Sequence, residues 1–379
     1  MELLFYLSII MIGYIYFGYP LTAFLFGRIR NNVVIKNSFT PSVTLVIAAY
    51  NEIECIEKTL KNKIALKYPK DKLEIIVISD GSTDGTDEAV ETFSSEDIRL
   101  IRQEIRSGKT AALNRAVKEA HGEIIAFSDA NSLWEPDALS YLVENFADPG
   151  VGYVTGKMVY ANADGSIIGD GCTAYMRYEN TLRKLETSVG SVVGVDGGID
   201  AVRKDLFQPM NHDQLPDFVL PLKVVAQGFR VIYEKKAILK EISLSKSKDE
   251  YQMRVRVALR AYWGLSDMWR LLFFRRSLAF SWQLWSHKVL RYTAFIFLVL
   301  AYLSNLFVLA HGIFYAILFL IQTAFYGTAI FAQYLKDNPI CNRFVLFSYY
   351  FLLTNIASAQ AFGKFILGRK QIMWTPRKG

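Results

Sequence analysis

The chain has 379 residues, 52% of them hydrophobic and 14% aromatic, with a formal net charge of +7 at pH 7. Its mean hydropathy is +0.19, yet residues 2–26 and 292–367 are nearly free of charge while 39–250 read as an ordinary soluble domain. That division excludes a wholly soluble protein and a wholly membrane-embedded one, and 26 Phe with 21 Tyr exclude disorder. The run at 2–26 is long enough to cross a bilayer, and it lacks the basic start and small-residue cleavage site of a signal peptide. Arg28, Arg30 and Lys36 follow it and only Glu2 precedes it, so the soluble domain is expected on the cytoplasmic side.

The soluble domain alternates strand and helix. Residues 43–48 (VTLVIA) predict a strand ended by Tyr50-Asn51-Glu52, then a helix to about residue 64. Residues 73–79 (LEIIVIS) predict a second strand, ended by Asp80-Gly81-Ser82-Thr83-Asp84-Gly85-Thr86, then a helix to about residue 93. A third strand is expected at 98–101, a helix at 109–120, and a fourth strand at 123–128, ended by Asp129. Near-continuous apolar strands between helices mean a parallel sheet covered on both faces. Ligands of open α/β sheets bind beyond the carboxyl ends of the strands, where Asn51, Glu52, Asp80 and Asp129 fall. Taken alone, Asp80–Thr86 also suits a turn with a helix cap. Two other motifs fail. Ser107-Gly108-Lys109-Thr110 resembles the end of a phosphate loop, but Gln103 stands where its first Gly belongs. The acidic run from Asp129 has Trp134 where a calcium loop needs Gly.

Beyond the domain, residues 246–291 hold ten basic and three acidic residues, together with Trp263, Trp269, Trp282 and Trp285. A basic, Trp-rich stretch beside membrane segments predicts a face on the membrane surface rather than a nucleic-acid site. Segment 270–289, broken by Arg275, Arg276 and Lys288, is expected along the interface. Three apolar runs follow, at about 292–309, 313–332 and 344–363, separated by His311-Gly312 and by the polar loop Lys336–Pro339. One plus three crossings would leave the basic tail outside, against the charge rule. Cys55, Cys172 and Cys341 are odd in number and far apart, which predicts a reduced compartment and no disulfide framework.

Ala48-Ala49-Tyr50-Asn51-Glu52, Ser79-Asp80-Gly81-Ser82-Thr83-Asp84, Gly108-Lys109, Leu113-Asn114 and Ser128-Asp129-Ala130-Asn131 come in a specific order and spacing. In that order they resemble the family 2 inverting glycosyltransferases, most nearly the membrane-bound synthases of cellulose, hyaluronan, chitin and poly-N-acetylglucosamine. The likeness continues through Gly194–Gly198, Pro216-Asp217 and Trp374–Arg377.

The resemblance implies an α/β domain of GT-A type (39–245) behind an amino-terminal anchor (1–30). Basic interfacial helices (246–289), carboxyl-terminal transmembrane helices (290–367) and a tail (368–379) would follow. The donor would be a nucleotide-diphospho sugar, expected to be a UDP-sugar. The product would be extracellular polysaccharide or a lipid-linked glycan, made at the cell membrane by a multi-pass protein. Ala48, Tyr50, Glu52 and Asp80 would hold the nucleoside and Lys109 the diphosphate. Asp129, with Asn131, would hold Mg2+ or Mn2+. Asp217 would be the general base, Arg256 would serve the diphosphate, and Gly194–Gly198 would line the acceptor side.

The chemistry asks for those residue types, because a single displacement needs a carboxylate for the acceptor proton and a cation for the departing diphosphate. Three departures stand out: Pro216 replaces the first acid of the base pair, Asn131 replaces the second Asp of the metal motif, and the Q-x-x-R-W signature reads Gln252-Met-Arg254-Val-Arg256-Val257. They leave two alternatives open: non-processive transfer to a polyprenyl-phosphate-linked acceptor, and a catalytically dead nucleotide-binding scaffold.

Overall fold

The structure is a computed structural model that describes every residue except 31, 161–166, 242–246, 274–276, 336–342, 372 and 374–379. Trp374–Arg377, Arg275, Arg276, Cys341 and the loop Lys336–Pro339 lie outside the described residues, as does the Cys172 side chain.

Among the described residues, eight strands form one sheet: β1 (Val43–Ala49), β2 (Leu73–Asp80), β3 (Ile98–Gln103), β4 (Ile124–Asp129), β5 (Leu133–Trp134), β6 (Val151–Tyr160), β7 (Asp200–Arg203) and β8 (Arg230–Glu241). Their order is β3-β2-β1-β4-β7-β6-β8-β5. The first four run parallel, as the alternating strands and helices predict. The rest of the sheet is mixed: β7 is antiparallel to both β4 and β6, and β5 to β8. Every residue of β1 is buried. Val43, Leu45 and Ile47 face one apolar core with helix Ile56–Ile64, while Val46 and Ala48 face a second core with helices Lys109–Glu119 and Pro216–Gln227. A strand covered on both faces needs no polar side, which is why its sequence does not alternate.

Among the described residues, four helices are long and apolar enough to cross a membrane: Glu2–Arg30, Ala294–His311, Ile313–Ala332 and Val345–Ile366. At about 1.5 Å per residue, twenty residues match a hydrocarbon layer of about 30 Å. The amino-terminal helix packs on the later ones through Phe5, Val308 and Tyr315.

Helix Ser247–Asp267, within the stretch expected to hold basic interfacial helices, packs on two sides. Gly264 lies against Phe218 and Val219 of the α/β domain, and Val255, Leu259 and Tyr262 pack on Ala357 and Ala361 of the last apolar helix. Its apolar residues therefore join two bodies, and the basic residues between them serve contacts that composition alone does not show. Trp282 likewise turns inward, donating from Nε1 to the Tyr14 hydroxyl at 2.8 Å, whereas Trp269 and Trp285 remain exposed.

Candidate active site

The carboxyl ends of β1, β2 and β4 meet at one edge of the sheet, and side chains stitch their loops together. Asn51 sits at φ 53° and accepts from the Thr83 amide at 2.8 Å. Its own amide donates to Ser82 Oγ at 3.1 Å, and the Ile53 amide to Asp84 Oδ2 at 3.1 Å. Asn and Gly are the residues that tolerate such left-handed turns, hence Gly81 at φ +73° beside the Arg106 backbone.

Asp80 is buried and its two oxygens accept from the Ser107 and Gly108 amides at 2.7 and 2.9 Å. It thus fixes the loop that presents Lys109, a role within the protein that stands beside the nucleoside contact the resemblance implies. Tyr50 lies under the Arg106 guanidinium, 3.6 Å from its ring centre, a flat stack at the mouth of the site. Ala48 is buried opposite Asp129 in the β1–β4 register. Glu52 is buried and accepts from Cys55 Sγ at 3.0 Å. Burial pushes its carboxyl up to about 7, and the nearby charges of Asp129 and Asp84 add to the rise.

Lys109 reaches from the start of helix Lys109–Glu119 to pair with Asp129 at the end of β4. Burial alone would lower its amine, but the charges of Asp129 and Asp217 outweigh burial and hold it above the ordinary lysine value.

Asp217 stands in the first turn of helix Pro216–Gln227. Leu215 is the N-cap there, with no side-chain cap bond, so Asp217 does not serve as the cap. Its Oδ1 is buried without a hydrogen-bond partner. Gly197, at φ +74°, lies so close that a Cβ there would meet Asp217 at 2.8 Å, and one at Gly198 would lie 3.7 Å from Asp129 Oδ2. Two glycines therefore admit both carboxylates to one space. Burial raises the Asp217 carboxyl above its ordinary value against the pull of Lys109 and Arg260, and Asp129 adds to the rise.

Sequence reasoning missed three groups here. Arg260, not Arg256, is the arginine at Asp217: it donates to the Gln214 carbonyl and to Thr110 Oγ1 at 3.2 Å, and the Asp217 charge acts on it directly. Gln252, Arg256 and Arg260 recur every four residues, which puts them on one helix face; that spacing was the available signal. Arg256 acts on Arg260 by like charge. Asp200 is buried on the Asp217 side of the sheet, and burial with the charges of Asp196 and Asp217 pushes it to about 7. Finally, helix Ile56–Ile64 holds the loop after β4. Thr59 Oγ1 donates to the Ala130 carbonyl at 2.5 Å, and Lys63 Nζ to the Ser132 carbonyl at 2.6 Å. Asn62 bonds Trp134 through both backbone groups at 2.8 and 2.9 Å.

Among the described residues no cluster of three or more His, Cys, Asp or Glu side chains forms a metal cage. What is present is the Asp129 carboxylate, partly exposed, with the Asn131 carboxamide two residues on. One carboxylate and one carboxamide fit a hard divalent cation whose remaining ligands come from substrate phosphates and water.

A poly-beta-1,6-N-acetyl-D-glucosamine synthase of Staphylococcus aureus is 33% identical over 203 residues, covering 52% of this chain and 48% of that protein. The synthase of the same name from Staphylococcus epidermidis is 26% identical over 287 residues, covering 71% of this chain and 66% of that one. The chain thus spans about half to two thirds of the length of these relatives. A mannosyltransferase from Pyrobaculum calidifontis, solved with GDP-Man and Mn2+, superposes with a TM-score of 0.72 at 24% identity, over 94% of this chain and 99% of that one. That likeness shows the fold, a GT-A type domain with apolar helices. Residues 44–211 match the model for glycosyl transferase family 2, and over that span the chain carries a domain of this family.

Proposed function

We propose that the protein is a membrane-anchored glycosyltransferase that moves a sugar from a nucleotide-diphospho sugar, a UDP-sugar, to a growing polysaccharide or lipid-linked glycan with inversion. The observation that carries the reading is the meeting of Lys109–Asp129 with Asp217 across Gly197-Gly198. The diphosphate would lie at Lys109, which brings a positive charge to the leaving group. The acceptor hydroxyl would face Asp217, whose unpartnered oxygen takes its proton. A carboxyl raised above the ordinary aspartate value is the stronger base once ionised. Tyr50, Glu52 and the Asp80-braced loop would hold the nucleoside. Arg260, held by Thr110 and Gln214, sets its charge near the base, while Arg256 keeps the diphosphate role on the same helix.

Asp129 and Asn131 would hold Mg2+ or Mn2+, which when bound neutralises charge on the diphosphate. The basic cluster Arg28, Arg30 and Lys36 supports a cytoplasmic catalytic domain and a multi-pass protein of the cell membrane. The presence together of Lys109, Asp129, Asp217 and Arg260 favours a working enzyme over a nucleotide-binding scaffold. The test is incubation of the purified full chain with a panel of sugar nucleotides and divalent metal, reading release of the nucleoside diphosphate. Release with one donor, dependent on acceptor, supports the reading; none with any donor overturns it.

A further inference from the structure

The loop Gly194–Gly198 is the wall against which both carboxylates of the site lie, yet it belongs to no helix and no strand. A Cβ at Gly197 would meet Asp217 at 2.8 Å, and one at Gly198 would lie 3.7 Å from Asp129 Oδ2. Contacts this close tie the space beside the base to the placement of the loop, and misplacing reacting groups by about 1 Å is enough to cost about 10²-fold in rate. Three of the five loop residues are Gly, whose backbone loses the most freedom on ordering. The loop must therefore be held from outside.

Two side chains distant in sequence hold it, one at each end. Arg183, on helix Ile167–Val189, donates from Nε to the Gly194 carbonyl at 3.1 Å and from Nη1 to Asp196 Oδ2 at 2.5 Å. Asn180 Oδ1, one turn earlier, accepts from the same Nη1 at 3.0 Å, so the fork is aimed by its own helix. Arg183 and Asp196 are both buried. At the other end, Trp134 Nε1 donates to the Gly198 carbonyl at 2.9 Å. Trp134 is itself buried and fixed: Asn62 bonds both of its backbone groups, and the Lys63 amine lies 4.6 Å from its ring centre. It ends the segment that begins with Asp129 and Asn131, so one indole ties the cation side of the site to the wall beside the base.

We propose that Arg183 and Trp134 are positioning residues for the acceptor: they clamp the Gly194–Gly198 loop so that an acceptor hydroxyl, rather than water, is seated against Asp217. This rests on the transferase reading above and adds to it two residues that act through the loop. With either nucleophile the bond from the anomeric carbon to the phosphate oxygen breaks. A bond to the oxygen of the acceptor or of water forms, and the proton passes to Asp217. The loop decides which oxygen is seated. Donor binding is spared when the clamp loosens, because the nucleoside loops have their own bonds: the Thr83 amide to Asn51, and the Ser107 and Gly108 amides to Asp80.

The test uses the full chain in its native membranes, which supply their own acceptors. A panel of radiolabelled sugar nucleotides is turned over, and the label is divided into glycan and free sugar. That ratio does not depend on how much protein is folded, so a merely structural defect leaves it unchanged. Trp134→Phe removes one N–H and keeps a ring and the Asn62 bonds. It should raise the share of free sugar about tenfold, the scale of one buried hydrogen bond. Arg183→Gln should raise it further. Arg183→Lys, which keeps the charge at Asp196 but lacks the planar fork that reaches Gly194 as well, should fall between Arg183→Gln and the wild type. UDP affinity should hold in all three. Hydrogen exchange on the purified protein should be faster at residues 192–200 and unchanged at 79–86. An unchanged ratio in both Trp134→Phe and Arg183→Gln, or loop exchange no faster than in the wild type, overturns the proposal, whatever happens to the unfolding midpoint. No turnover of any donor by the wild type would sink the transferase reading, while faster loop exchange in the variants would leave the clamp itself standing.

Discussion

Asp217 has an alternative role that its position in a first helical turn invites, a purely electrostatic contribution to helix stability. Asp217→Asn separates the two. It keeps the shape, so UDP affinity should hold while sugar transfer falls by about 10²–10⁴-fold, the usual worth of a general base. Near-normal transfer would return Asp217 to the helix and leave the base unassigned. Arg260 adds a pH signature. Its charge lowers the Asp217 carboxyl, so Arg260→Gln should raise that pKa and move the acidic limb of the transfer profile to higher pH. A limb that stays in place or moves down contradicts the contact. At the cation site, Asp129→Ala should abolish turnover and Asn131→Asp should tighten Mg2+ or Mn2+ dependence, read as activity against metal concentration. Full activity of Asp129→Ala in excess chelator would remove the metal assignment.

At the scale of elements, two helices decide whether those residues meet. Helix Ile56–Ile64 closes the loop after β4 through Thr59, Asn62 and Lys63. Asn62→Ala strands both backbone groups of Trp134. The expected cost is about 1–3 kcal/mol of stability, seen as a lower unfolding midpoint, with weaker metal-dependent nucleotide binding beside it. Helix Ser247–Asp267 approaches Asp217's helix at Gly264, where a Cβ would meet Phe218 at 2.9 Å and Val219 at 3.1 Å. Gly264→Val should force the helices apart and lower transfer, with the amino-terminal half of the sheet unaffected in nucleotide binding. Equal activity would show that the close approach has no catalytic consequence.

At the scale of the whole molecule, the apolar helices and the transferase domain are joined by buried polar contacts as well as by apolar packing. Tyr19 of the amino-terminal helix, Glu186 of helix Ile167–Val189 and His287 of the turn before the later spans meet in one buried cluster. Tyr19→Phe removes the only described hydroxyl contact of Glu186 in that cluster. It should lower the unfolding midpoint by the equivalent of about 1–3 kcal/mol. A reporter fused after Lys36 should read cytoplasmic. An extracytoplasmic reading would cut the enzyme off from its donor and overturn the proposed function.

Much of this was legible in the chain. Four strands and the helices between them follow from apolar runs ended by Asp, Asn and Gly, because a strand buried on both faces must be apolar throughout. The apolar helices follow from length and charge, since nothing else satisfies a backbone in lipid. Asp80 and Asp129 stood at strand ends, and Lys109 at a helix start, that the parallel half of the sheet brings to one edge; Asp217 joins them from the first turn of helix Pro216–Gln227, after the mixed half begins. Tertiary structure alone decided the rest. The mixed half of the sheet depends on pairings between β6, β7 and β8 that lie far apart in sequence, where period and composition do not encode direction. Asp80's grip on the 107–108 amides and the closeness of Arg260 to Asp217 depend on contacts between segments far apart in sequence. For helix Ser247–Asp267 both faces are buried, against different partners. A basic stretch read one residue at a time looks like a membrane surface; only packing separates the arginine that touches the site from those that brace the helices around it.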